Sequence, residues 1–108
     1  MVKSVIEEGY GDKLLSKLDL ADGVNTISSS PTSFSLFRDG ENYRFAPTIQ
    51  IQNVQGKARV KYYSGRNAVS SAYRIVYTSK NPVDKLTDAE WDEIVRRLKS
   101  RHIGRFLK

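Results

Sequence analysis

Cysteine is absent from this 108-residue chain, which removes disulfides, thiol chemistry and zinc sites of the finger type. Histidine occurs once, at position 102, so a two-histidine metal centre is excluded. No apolar run approaches the roughly 18 residues needed to span a bilayer. The opening stretch, "MVKSVIEEGYG", lacks the long apolar segment of a secretion signal. No Gly-x-x-x-x-Gly-Lys phosphate loop and no Gly-x-Ser-x-Gly elbow occurs. Adjacent acids such as Glu7-Glu8 and Asp92-Glu93 point different ways, and acids at a helix start are normally caps. His102 sits among arginines, as a solvated helix-end residue that favours the helix dipole. The expectation is a cytoplasmic protein that does not enter a membrane, holds no cofactor or metal and is not an enzyme.

What is present is a foldable composition, 39% hydrophobic and 28% charged, in a chain long enough for one small core. The net charge is +6, and its distribution is segregated. Residues 42–83 hold seven cations and residues 96–108 hold six, both without a single carboxylate. The acids gather in residues 1–41 and 84–95, which are net negative. Segregation of this kind builds a local positive field that scattered charges do not.

Two parts are expected: an N-terminal segment, 1–33, with a short helix and a serine-rich loop, and a domain of sheet and C-terminal helix, 34–108. The short helix runs over Asp12 to Leu20, with Asp22-Gly23 ending it. "SSSPTS" (28–33) reads as a polar loop, because serines compete with the backbone ladder and Pro31 lacks a donor. "FSLFRDGENYRF" reads as a hairpin about an Asp39-Gly40 turn of type I′, with Leu36 opposite Tyr43 and Phe34 opposite Phe45. "TIQIQNV", "KARVKYY" and "AYRIVYT" alternate as strands, the first two joined at Gln55-Gly56, a weaker turn signal than Asp-Gly. Thr87-x-x-Glu90 is a capping box, and Trp91, Ile94, Val95 and Leu98 form one apolar stripe behind it. The fold class is therefore α+β: a curved antiparallel sheet of four to five strands backed by a C-terminal helix, with a short N-terminal helix.

"NVQGKARVKYYSGRN" (53–67) combines four cations with two tyrosines. On its strand the polar face reads Lys57, Arg59, Lys61 and Tyr63. Cations at period two track a phosphate backbone, and a tyrosine ring among them offers a stacking surface to a base. Arg44 and Arg74 on neighbouring strands extend the face, Arg66 adjoins it in a loop, and Arg97 and Arg101 in the basic tail are further phosphate contacts. The alternative is plain: cations decorate the solvent face of any half-buried sheet, and tyrosine is a good strand former.

"IQIQNVQGKARVKYY" followed by "KLTDAEWDEIVRRL" resembles the positive-cofactor-four family of single-strand DNA-binding transcription coactivators. Gly56, Lys57, Leu86 and Trp91 match its turn and helix pattern, over residues 49 to about 99. Gln55 stands where that family has the first lysine of the turn, and the segments before residue 49 are additional. The resemblance implies a curved sheet backed by a helix, a homodimer formed through the helix side, and single strands gripped on the sheet. Together these readings point to a non-enzymatic protein that binds single-stranded DNA or RNA without sequence specificity. The readings left standing beside it are a phage-type or host-factor inhibitor whose basic face docks on an acidic protein, and a component of a nucleoprotein particle.

Overall fold

A computed structural model describes residues 9–64 and 73–108. Five strands, β1 (Val24–Ser30), β2 (Ser33–Arg38), β3 (Thr48–Val54), β4 (Lys57–Tyr63) and β5 (Tyr73–Thr78), form one antiparallel sheet in chain order. Helices α1 (Tyr10–Lys17) and α2 (Asp88–Lys99) accompany it. The α+β class expected from the sequence is what the chain adopts.

The sheet is organised by its β3–β4 hairpin. Gln55 (φ 55°) and Gly56 (φ 78°) both take positive φ, the type I′ pattern whose twist matches that of the flanking strands. Val54 then faces Lys57, and the ladder runs unbroken to Thr48 opposite Tyr63. Ile49, Ile51, Ala58 and Val60 are fully buried on one face.

The Asp39-Gly40 turn behaves otherwise. Glu41 N–H donates to the Arg38 carbonyl at 3.0 Å, but only Gly40 (φ 86°) has positive φ, as in type II, which splays the flanking strands instead of pairing them. The expected 34–45 hairpin therefore does not form. Asn42 caps a 3-10 turn at Tyr43–Phe45, and β2 pairs with β3, placing Phe34 opposite Ile49. Tyr43 and Phe45 lie exposed.

The serine-rich segment departs from expectation as well. Residues 28–30 finish β1, and only Pro31 and Thr32 turn. The Ser30 hydroxyl lies 2.9 Å from that of Ser33 and accepts from Thr32 N–H at 3.3 Å. Serine hydroxyls thus close the turn of a strand pair they were expected to prevent. Helix α1 starts earlier than expected and ends at Lys17, with Leu18 already extended, short of Asp22-Gly23. Gly11 lies inside it because a Cβ there would stand 3.0 Å from Ser33 N, while its own N–H donates to the Pro31 carbonyl at 2.8 Å.

Both helices cover the same sheet face. Leu14 of α1, Trp91, Ile94 and Leu98 of α2, and Phe34, Leu36, Ile49, Ile51 and Val60 of the sheet share one core. Residues 9–33 therefore supply a helix and an edge strand to the same core as the rest. The terminal segment joins the core: a 3-10 turn at His102–Phe106 buries Ile103 and Phe106 completely, and Leu107 bridges Leu20. Gly104 permits this packing, since a Cβ would lie 2.0 Å from the Lys99 carbonyl oxygen.

Glu90 joins α2 to the end of β5. One carboxylate oxygen accepts from Asn81 Nδ2 (3.1 Å) and from Thr87 N–H (3.3 Å); the other accepts from the hydroxyls of Ser79 and Tyr77. Thr87 Oγ1 completes the capping box by accepting from Glu90 N–H at 3.1 Å. The Ser79 hydrogen bond is the largest influence lowering the Glu90 pKa from its ordinary 4.5, and it and the other donors outweigh desolvation.

Two outcomes follow from this packing. Trp91→Ala should lower unfolding free energy by about 3–5 kcal/mol in a denaturant titration, as loss of a core aromatic does; an unchanged midpoint would place Trp91 outside the core. Because folding depresses the Glu90 pKa, its contribution is complete above the ordinary value of 4.5 and is lost as pH falls through the depressed one. Glu90→Gln should therefore be less stable than wild type at pH 7, with the gap narrowing as pH falls below 4.5. Denaturant midpoints of the two proteins that run parallel over that range would contradict the assignment.

Candidate nucleic-acid interface

The face of the sheet opposite the helices is built from the alternate positions of each strand. Strand pairing arranges them in rows: Ile27, Ser35, Thr48, Tyr63 and Tyr73; then Ser33, Gln50, Lys61 and Ile75; then Gln52, Arg59 and Thr78; then Val54 and Lys57. No carboxylate occupies any of these positions. Lys57, Arg59 and Lys61 make a line along β4, with successive Cα atoms about 6.6–6.8 Å apart by strand geometry.

The aromatic side chains collect at one end of this face. Tyr63 and Tyr73 meet with ring centroids 5.6 Å apart and planes tilted by 48°. The Tyr63 hydroxyl donates to Gln50 Oε1 at 3.2 Å. Burial first, and then Tyr73, push the Tyr63 phenol above its ordinary 10.0, so it remains a neutral donor. The Lys61 ammonium lies 4.5 Å from the centroid of the Tyr73 ring. Phe37, the next open-face position of β2, packs against Tyr43 with centroids 6.2 Å apart.

Arg59 is half-buried between Gln52 and Thr78. Its Nε is buried and has no hydrogen-bond partner among the described residues. A buried donor left unpaired costs free energy, and the guanidinium is thus held by packing, with no carboxylate opposing its charge on this face.

Of the residues expected to form a site, Lys57, Arg59, Lys61 and Tyr63 come together here. Arg44 stands exposed on the 3-10 turn whose Tyr43 packs on Phe37, at the aromatic end of the face. Arg74 does not join them. The β4–β5 pairing is irregular between Val60 and Lys61, so that Val60 faces Tyr77 and Tyr62 faces Arg74. Arg74 consequently shares the helix-covered face with Tyr62. It lowers the Tyr62 pKa less than burial raises it, as does Arg105.

Arg97 is likewise in the helix layer. It donates to Glu93 at 2.5 Å and to the Val76 carbonyl at 3.3 Å, and lies 5.2 Å from the Tyr77 ring centroid. Arg96 and Arg97 together hold the Glu93 carboxyl below its ordinary value. Arg101 is exposed just beyond α2, also away from the open face. Arg66 lies outside the described residues. The residues missed by sequence reasoning are Tyr73 and Ile75, exposed at 38% and 46%; simple alternation gave them the face that the irregularity takes away.

Among the described residues no helix is long and apolar enough to cross a membrane. No family model, curated protein or solved structure matches the chain.

The two faces of β4 should answer oppositely to charge. Lys61→Glu should cost only about 0.5–1 kcal/mol, for the contact with the Tyr73 ring that it gives up. Val60→Glu, placing a carboxylate at a fully buried position, should abolish cooperative thermal unfolding. Equal behaviour of the two variants in circular-dichroism melts would overturn the facing of the strand.

Proposed function

We propose that this chain is a non-enzymatic nucleic-acid-binding protein that takes single-stranded DNA or RNA along the open face of its sheet. One observation carries the reading: three cations line β4 on a helix-free face that has no carboxylate at any strand position and has exposed aromatic rings at one end. Phosphates neutralise the cations, and the rings offer bases a sequence-tolerant surface. Duplex is disfavoured because its bases are already stacked and cannot reach the rings. Helix α2 does not suit groove reading, as its first turn carries Asp88 and Glu90 and its apolar side is buried in the core. The resemblance to the positive-cofactor-four family supports the same reading, and a homodimer formed through the helix side would leave each open face free. The reading requires no cofactor and places the protein in the cytoplasm.

Phe45, 76% exposed beside Tyr43, favours a second reading, in which the same face docks on an acidic protein through a rim of apolar contacts.

Fluorescence anisotropy with a labelled single strand, the matching duplex and an RNA of the same sequence, each at several salt concentrations, tests the proposal. The single strands should bind more tightly than duplex. Arg59→Glu/Lys61→Glu should weaken binding and lower the slope of log affinity against log salt by about 1.4, which is about 0.7 for each lost contact. A folded double variant that binds like wild type would remove β4 from the interface and leave the protein partner as the better reading.

A further inference from the structure

The open face is not uniform. Its cations run along β4; its exposed apolar and aromatic side chains lie in two places, at Tyr43 and Phe45 on the 3-10 turn after β2 and at Tyr73 and Ile75 on β5, and only the second borders the cations of β4. Resting on the function proposed above, we infer that Tyr73 is the stacking platform for an unpaired nucleobase, with Ile75 as its apolar border, and that Lys61 leaves the ring to meet the adjoining phosphate.

Three observations distinguish Tyr73 from Tyr63, its neighbour in the row. Tyr63 is the less exposed of the two and its hydroxyl is tethered to Gln50. Its ring is tilted 48° from that of Tyr73, so one base cannot lie flat on both. Tyr73 belongs to the edge strand and is 38% exposed. Tyr63 therefore supports the Tyr73 ring from the side, and Tyr73 presents the face.

Lys61 sets the exchange. Its ammonium, 4.5 Å from the Tyr73 centroid, occupies the attractive position over the ring quadrupole. A base stacking on that face displaces it. The lysine stem is flexible and the ammonium is a compact charge with rotatable donors, so it can follow the phosphate attached to the displacing nucleotide. One residue thus covers the ring in the free protein and contacts the backbone in the complex. A free base or nucleoside supplies only half of this exchange, and a phosphate chain without bases supplies the other half; a single-stranded oligonucleotide supplies both.

The probes are an oligothymidylate of 12 nucleotides and an abasic sugar–phosphate chain of the same length. The proteins are wild type, Tyr73→Ala, Tyr73→Leu and Arg59→Glu/Lys61→Glu. Wild type should prefer oligothymidylate to the abasic chain. Both Tyr73 variants should lose about 5- to 150-fold on oligothymidylate, with the salt slope unchanged, and should bind the abasic chain like wild type. Tyr73→Leu keeps apolar area without a π face, so its loss separates stacking from packing and stands if Tyr73→Ala fails to fold. If the Tyr73 variants match wild type on oligothymidylate while the double reversal loses binding, the platform assignment is wrong and the proposed function stands. If wild type binds neither probe, both are overturned.

Discussion

The register of the β3–β4 hairpin decides what this molecule presents to solvent. Side chains alternate along a strand, so a slip of one residue would bury Lys57, Arg59 and Lys61 and expose Ala58, Val60 and Tyr62. The two-residue turn at Gln55-Gly56 prevents the slip, and both its residues accept the left-handed conformation that its twist requires. Burial of Ile49, Ile51 and Val60 under the helices then makes the register expensive to change. Packing energy on one face thereby holds an uncompensated row of cations on the other.

Charge is sorted between the two layers in consequence. The capping box, the Glu93 pairs with Arg96 and Arg97, and the Lys13–Asp84 contact all lie on the helix side. The helix-layer cations Lys13, Arg96 and Arg97 are thus paired with carboxylates, whereas those of β4 have none among their strand neighbours. Exposed pairs of this kind contribute little to stability, but they offset part of the helix layer's charge, whereas the row on β4 has no carboxylate among its strand neighbours. The proposed single-strand interface depends on that asymmetry more than on any one residue.

Where local chemistry and tertiary packing agree, the sequence could be read directly. The capping box at Thr87, the apolar stripe of α2 and the alternation of β3 and β4 are of this kind, and with them four members of the candidate interface. Where two local solutions compete, it could not. Asp39-Gly40 is the stronger hairpin signal on paper, yet it takes a type II form and yields β2 to β3, while the weaker Gln55-Gly56 makes the hairpin. The serines of β1 carry no alternation, and only the neighbouring β2 edge makes them a strand. Simple alternation along β5 puts Arg74 on the open face; the irregular pairing that turns it away, and brings Tyr73 and Ile75 there instead, has no signature in the residues themselves. In the basic tail the surrounding charges mask Ile103 and Phe106, which the core takes up.

Backbone amide shifts followed by NMR during titration with an unlabelled single strand would locate the ligand directly. Binding on the open face should move Arg59, Lys61, Tyr63, Tyr73 and Ile75 in proportion to occupancy and leave the amides of α2 in place. Shifts confined to α2 and the C-terminal turn, or none at saturating strand concentration, would contradict it.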